Sequence, residues 1–129
     1  MSDTAQFKAR LNVAFAAMRK AGIVARQNFS CCGSCAGYEI ATDIEAMAPA
    51  RRAKVQGTAF YTKQEWRQFD GRKPQGIYIP YGQVATQAHG DVGLTTVAVG
   101  QIVATCLKEA GLEVEWDGTP EKTIYVKAV

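Results

Sequence analysis

Three of the four cysteines in this chain lie within five consecutive positions, as Cys31, Cys32 and Cys35. A short apolar segment precedes them and a segment with helical spacing follows, which predicts a strand, a turn and a helix. The start of a helix favours a thiolate over a thiol, because it presents free N–H groups and a partial positive charge. This turn is therefore where thiol chemistry or metal binding is expected.

Thiol–disulfide exchange is one hypothesis for the turn, with Cys32 and Cys35 as the catalytic pair. Their spacing allows both sulfurs to meet across the first helical turn, and a strand followed by Cys-x-x-Cys and a helix is the thioredoxin-like arrangement. The usual sequence context of that motif is missing, because no proline lies between the two cysteines and Cys31 adds a competing thiol.

A zinc site is the second hypothesis, with Cys31, Cys32 and Cys35 as thiolate ligands. A structural zinc site usually has four ligands in two closely spaced pairs, so His89 or Cys106 would have to complete it. Cys106 lies on the apolar face of a predicted helix, which favours a buried, inert thiol over a ligand. No cofactor other than zinc is suggested by the sequence.

A structural interpretation stands beside these two. Small apolar cysteines could fill space where the helix packs on the sheet, with Gly33 and Gly37 permitting a close approach. Redox, metal and structural interpretations all remain open at this point. No nucleotide-binding glycine loop or zinc-protease motif is present, and a single histidine leaves little for a serine or cysteine triad. A protein without catalytic activity is therefore favoured over an enzyme.

Length and composition predict one domain over residues 1–129, because 129 residues of which 47% are hydrophobic can form one core. No apolar run approaches the roughly 20 residues that cross a bilayer, and the N-terminus lacks the pattern of a signal peptide. We therefore expect a cytoplasmic protein, in which thiols normally stay reduced.

Charge is unevenly distributed along the chain. Residues 1–73 carry 12 basic and 6 acidic side chains, a net +6, whereas residues 74–129 carry 3 basic and 6 acidic side chains, a net −3. Arg51, Arg52 and Lys54 form a basic segment that could bind an acidic protein surface, although such segments are more often solvated. No nucleic-acid-binding motif accompanies it. A protein partner is expected, in a regulatory or inhibitory role by analogy with small bacterial and phage proteins.

Apolar periodicity predicts an α/β or α+β domain with about four helices and about five strands. The helices are expected over residues 4–20 and 36–48, after the Thr62–Glu65 capping pattern, and before Gly111. The strands are expected over residues 23–28, 57–61, 77–81, 112–116 and 123–129, the last two as a β-hairpin.

Two blocks of the sequence together carry a resemblance to a known family. Residues 22–35 include Asn-Phe-Ser-Cys-Cys-Gly-Ser-Cys, and residues 110–118 end in Val-Glu-Trp-Asp-Gly. With Phe60-Tyr61 and residues 77–82, they resemble an uncharacterised family of small bacterial domains that is labelled only as a domain of unknown function. The likeness extends from about residue 20 onward. It implies a fold unit whose signature is the cysteine turn, and it implies no activity, cofactor or partner.

Overall fold

Helices and strands alternate along residues 3–71, 75–84 and 95–128, which are the residues that the computed structural model describes. Five helices and six strands lie within these ranges, so the predicted mixture of helices and strands is confirmed as a mixed α+β domain. The helices are α1 (Asp3–Lys20), α2 (Gly33–Glu45), α3 (Pro49–Arg52), α4 (Lys63–Gly71) and α5 (Thr96–Glu109). The strands are β1 (Ile23–Arg26), β2 (Gly57–Phe60), β3 (Gly76–Ile79), β4 (Tyr81–Gly82), β5 (Glu113–Glu115) and β6 (Ile124–Lys127).

The described strands form two three-stranded sheets. In the first sheet, β1 lies parallel to β2 with Ile23 opposite Gly57, and β4 pairs antiparallel to the other edge of β2. In the second sheet, β6 lies between β3 and β5 and is antiparallel to both. Pairing of Glu113 with Lys127 confirms the predicted C-terminal β-hairpin.

Pro80 divides the single strand that the sequence predicts over residues 77–81. The residues before it form β3 of the second sheet, and the residues after it form β4 of the first. A proline has no N–H to donate within a sheet, but its carbonyl oxygen is free to accept a hydrogen bond. The Pro80 oxygen accepts one from the N–H of Phe60 at 3.1 Å, which ties the junction of the two sheets to β2.

The main hydrophobic core lies beneath α1 and α5. The apolar face of α1 is fully or almost fully buried, which confirms the amphipathic helix predicted there. This face consists of Phe7, Leu11, Ala14, Phe15 and Met18. Side chains from both sheets and from the buried face of α5 complete the same cluster. Burial of this stripe provides most of the stability of such a helix, since propensity alone is marginal in water.

A second, smaller core lies on the opposite face of the first sheet. Ile23 and Ala25 of β1 belong to the main core, whereas Val24 between them belongs to the second cluster with Ala36 and Ile40 of α2. This alternation is the period of two expected of a strand that is covered on both faces. Helix α2 therefore covers the face of the first sheet that carries Val24.

Helix α2 differs from the prediction at both ends. It begins at Gly33 rather than at residue 36 and ends at Glu45 rather than near residue 48. Pro49 does not terminate it but begins the separate helix α3. A proline is well suited to the first turn of a helix, because its missing N–H would have no intrahelical partner there.

No helix within the described residues is long and apolar enough to cross a membrane.

One of the two hydrogen bonds expected of the predicted capping box before α4 is present. The Thr62 hydroxyl oxygen accepts a hydrogen bond from the N–H of Glu65 at 3.1 Å. The Glu65 carboxylate does not return to the start of its own helix but accepts the N–H of Tyr78 at 3.0 Å. Glu65 therefore joins α4 to β3 and gives this helix a fixed place beside the second sheet.

Residues 116–118, the Trp-Asp-Gly of the second sequence block, lie in the connection between β5 and β6, and we refer to them as the Trp116–Gly118 block. Both the Tyr81 hydroxyl and the Trp116 indole N–H donate to the carbonyl oxygens of Thr119 and Lys122, at 2.8–3.1 Å. The two aromatic rings pack edge to face over Gly100 of α5. The block is therefore a structural element of the fold.

We predict that Gly100→Ala lowers the free energy of unfolding, although alanine is the better helix former. The added methyl carbon would lie 2.7 Å from the Trp116 ring and 2.8 Å from the Tyr81 ring. Such overpacking costs about 1–3 kcal/mol, which exceeds the gain of about 1 kcal/mol in helix propensity. Urea unfolding measures the difference.

Gly37→Ala is the matched control for this prediction. Gly37 lies within α2, and a methyl group there would have no atom within 4 Å. It should raise the free energy of unfolding by about 0.5–1 kcal/mol through helix propensity alone. If Gly100→Ala stabilises the protein as Gly37→Ala does, the packing of Trp116 against Gly100 does not require a glycine at that position.

Candidate functional site

Residues 28–35 run from the connection after β1 into the first turn of α2, and we refer to them as the cysteine turn. Its backbone adopts the left-handed region at two positions without glycine, Asn28 with φ 50° and Ser30 with φ 59°. That conformation is uncommon for such residues and needs support from the surrounding structure. Two N–H groups of α4 provide part of it, those of Lys63 and Gln64, which donate to the carbonyl oxygens of Ser30 and Cys31 at 3.4 and 3.3 Å.

Tyr61 supports the other side of the cysteine turn. Its carbonyl oxygen accepts the N–H of Phe29 at 3.0 Å. Its hydroxyl oxygen accepts hydrogen bonds from the Lys8 ammonium at 2.6 Å and from the Gln27 amide at 3.3 Å. The ring is fully buried and stacks on Trp66 of α4 with centroids 5.8 Å apart. The turn is thus connected to α1 and α4 through one residue, whose backbone bonds the turn and whose side chain contacts both helices.

The structure brings the three predicted cysteines together. Cys32 is the N-cap of α2 and Cys35 lies in its first turn. The sulfur atoms of Cys31, Cys32 and Cys35 all lie within 4.8 Å of one another, and the Cys31 and Cys32 sulfurs are 3.8 Å apart. All three are free thiols, and together they could hold a metal ion.

The structural interpretation of these cysteines is wrong. Cys31 and Cys35 are exposed and Cys32 is half-buried, so none of them fills space in a core. Gly33 and Gly37 do not permit a close approach either, because a methyl group at each position would have no atom within 4 Å. What remains is a cluster of thiols that face solvent, and solvent access is what thiol chemistry requires.

The pKa values of Cys32 and Cys35 are shifted in opposite directions. The pKa of Cys32 is lowered, first by the backbone N–H of Cys35 and next by the thiol of Cys31. No N–H of the first turn forms a well-aligned hydrogen bond with the Cys32 side chain, so the effect is that of nearby dipoles. Hydrogen bonding and charge repulsion from Cys31 and then Cys32 raise the pKa of Cys35 to about 11. Cys32 is therefore the thiol that ionises first of this pair.

An open depression of about 480 Å³ adjoins the cysteine turn. Cys31 and Cys32 form one side, and Gln64, Arg67 and Gln68 of α4 form the other. The three α4 residues have the spacing i, i+3 and i+4, which places them on one helix face. Sequence analysis missed them, although a polar face on the helix opened by Thr62 was a signal that could have identified them.

Those of the other predicted site residues that the structure describes do not join this cluster. Cys106 is buried on α5, where desolvation raises its pKa, and it belongs to the main core. His89 lies outside the described residues. Arg51 and Lys54 are exposed, whereas Arg52 is half-buried and donates to the carbonyl oxygen of Glu45 at 3.2 Å. Cys106 and the three basic residues do not line the depression beside the cysteine turn.

Comparison with protein families gives a match over nearly the whole chain. One family model, described as a domain of unknown function (DUF6891), matches residues 4–129. The chain belongs to the DUF6891 family. The match includes both the cysteine turn and the Trp116–Gly118 block of this DUF6891 domain, and it confirms the resemblance to a family without a known function. Neither a curated protein nor a solved structure gave a significant match.

Proposed function

We propose that this DUF6891 domain carries out thiol–disulfide exchange at the cysteine turn. The observation that carries the proposal is the convergence of three sulfur atoms within 4.8 Å on a turn where two of the thiols are exposed. A disulfide on another molecule can reach such a site without any opening of the fold. Cys32 is the attacking group in this proposal, because its position as N-cap favours its thiolate.

The proposed reaction has two exchange steps. The Cys32 thiolate attacks one sulfur of a substrate disulfide, the substrate S–S bond breaks, and the departing thiolate takes a proton from water. Cys35 then gives up its proton to water and its thiolate attacks the Cys32 sulfur. The mixed-disulfide bond breaks, and the second half of the substrate leaves as a thiolate that takes a proton from water. The substrate disulfide is reduced to two thiols, and Cys32 and Cys35 are oxidised to one disulfide.

Cys35 is a better resolving group than Cys31. A disulfide between the adjacent Cys31 and Cys32 would close a strained ring, whereas the two-residue spacing of Cys35 avoids it. Cys31 and then Cys32 are the largest causes of the raised pKa of Cys35. Once Cys32 is in a mixed disulfide, its negative charge is gone and ionisation of Cys35 becomes easier. Formation of the first bond therefore prepares the second step.

The test is to treat the reduced protein with bis(2-hydroxyethyl) disulfide and to locate the products by peptide mass mapping. We predict a Cys32–Cys35 disulfide in the natural protein and a stable mixed disulfide on Cys32 in Cys35→Ser. The rate of the first step should rise with pH and reach its midpoint at a lower pH than for a cysteine of ordinary pKa, because a lowered pKa supplies thiolate at lower pH. Mixed disulfides spread equally over the three cysteines would refute the assignment.

Cys31→Ser and Cys32→Ser are the matched variants for this experiment. Cys31→Ser keeps the reacting pair and removes the largest cause of the raised pKa of Cys35, so the second step should become faster at neutral pH. Cys32→Ser should form no disulfide between positions 32 and 35 and should keep the same far-ultraviolet circular dichroism. Unchanged kinetics of the second step in Cys31→Ser would contradict the proposed role of Cys31.

Zinc binding by the same cluster is the alternative hypothesis. Three thiolates within 4.8 Å could ligate a metal, but a structural zinc site has four protein ligands. Within the described residues no fourth histidine, cysteine or carboxylate joins the group, and Cys106 is buried in the main core. Thiol–disulfide exchange, unlike a four-ligand zinc site, requires no residue beyond the three cysteines of the turn.

We predict less than one equivalent of zinc in protein purified without a polyhistidine tag. A chelator should leave the melting temperature unchanged, since a metal that binds only the folded state would add to its stability. Elemental analysis and thermal unfolding with and without chelator measure both quantities. One equivalent of zinc, together with a lower melting temperature after chelation, would establish the metal site instead.

Binding of an acidic protein partner is a second proposed function, favoured by the basic segment. Arg51 and Lys54 are exposed and form no ion pair with any described residue. Arg52 is left out of the test, because its hydrogen bond to the Glu45 carbonyl holds α3 against the end of α2. Charge at the other two positions is therefore available for a partner.

We predict that reversing both charges, Arg51→Glu with Lys54→Glu, abolishes recovery of a stoichiometric partner from lysate of the natural host. Lys108→Glu, an exposed reversal on α5, should leave recovery unchanged. Quantitative mass spectrometry of proteins recovered with each tagged variant measures the effect. If the double variant and the control recover the same proteins in equal amounts, the basic segment is only a solvated surface.

A further inference from the structure

The depression beside the cysteine turn has an uneven distribution of charge. Its lining contains two thiols, two amides and one guanidinium, and none of the five residues is acidic. Arg67 is exposed, and its guanidinium forms no ion pair or hydrogen bond with another described residue. A cation that has no partner among the described residues therefore lines the same depression as the thiol that attacks in the proposed exchange.

The other polar groups of the lining are the uncharged amides of two glutamines. Gln64 and Gln68 lie on the same exposed face of α4 as Arg67, and each side-chain amide offers both a donor and an acceptor. A guanidinium can bind both oxygens of a carboxylate through parallel N–H groups. The depression has a volume of about 480 Å³ and is open to solvent, so a small molecule can enter it without any change in the fold.

The geometry points to a substrate class: small peptide disulfides that carry a carboxylate, with the carboxylate bound by Arg67 while the sulfur reacts at Cys32. This assignment rests on the proposed thiol–disulfide exchange and adds the identity of the substrate to it. The amides of Gln64 and Gln68 bind the peptide groups between the carboxylate and the sulfur. Arg67 is a specificity-determining residue in this scheme and takes no part in proton or electron transfer.

The experiment compares three disulfides that differ in charge: glutathione disulfide, which carries carboxylates, neutral bis(2-hydroxyethyl) disulfide, and cationic cystamine. The rate of mixed-disulfide formation on Cys32 is measured for the natural protein and for Arg67→Gln at low salt. We expect Arg67→Gln to slow the reaction with glutathione disulfide by about two- to fivefold, the effect typical of an exposed ion pair. The neutral reagent should react at an unchanged rate and cystamine at an equal or higher rate.

Three further measurements make the comparison specific. Arg67→Lys should recover part of the rate with glutathione disulfide, because it keeps the charge and loses the paired N–H groups. Lys108→Gln removes one exposed positive charge from α5 and should change none of the three rates. High salt should reduce the difference between the natural protein and Arg67→Gln, since exposed charges are screened.

The outcomes separate the two proposals. Equal rates for glutathione disulfide in the natural protein and in Arg67→Gln, with normal reaction of the neutral reagent at Cys32, overturn the substrate assignment and leave the exchange activity intact. An equal fall with all three reagents also overturns it, because Arg67 would then act on the thiolate and not on the substrate. If no reagent reacts selectively at Cys32, thiol–disulfide exchange fails and the substrate assignment fails with it.

Discussion

The arrangement of the candidate site depends on Tyr61, the residue that follows β2. Its N–H donates to the carbonyl oxygen of Arg26 at the end of β1, and its own carbonyl accepts the N–H of Phe29 in the cysteine turn. Its buried hydroxyl accepts hydrogen bonds from Lys8 of α1 and from Gln27. A buried hydroxyl left without partners would destabilise the fold, so these bonds restrict where α1 and the cysteine turn can lie.

The aromatic contacts of Tyr61 extend this constraint to α4. Its ring meets Phe15 of α1 edge to face at 5.6 Å and stacks on Trp66 of α4 at 5.8 Å. The Lys8 ammonium lies 5.0 Å from the centre of the Trp66 ring, which adds a cation–π contact between the same two helices. The face of α4 that carries Arg67 is thereby held beside Cys31 and Cys32. Tyr61 bonds the cysteine turn through its backbone and packs on α4 through its ring, so this one residue links the thiols to the helix that carries the charge we propose selects their substrate.

Two separate hydrophobic clusters have different consequences for the site. The main core holds α1, α5 and both sheets together, and it contains Cys106 as an inert thiol. The smaller cluster holds α2 against the other face of the first sheet through Val24, Ile40 and Phe60. It orients the start of α2 toward solvent. The thiols are therefore positioned by packing in which they take no part, which leaves them free to react.

The sequence by itself determined the features that depend on neighbours along the chain. Helical spacing in α1, alternation in the hairpin and the Thr62 cap were predicted correctly, because each follows from the period of a helix or strand or from a contact three residues away. The three clustered cysteines were also evident. Only the tertiary structure decided that two of these cysteines are exposed and that Arg67 lies beside the cluster. It also decided that the apolar segment 77–81 is divided at Pro80 into strands of two different sheets. These outcomes depend on contacts between residues far apart in sequence, such as the bond from Phe60 to Pro80, and local periodicity contains no information about them.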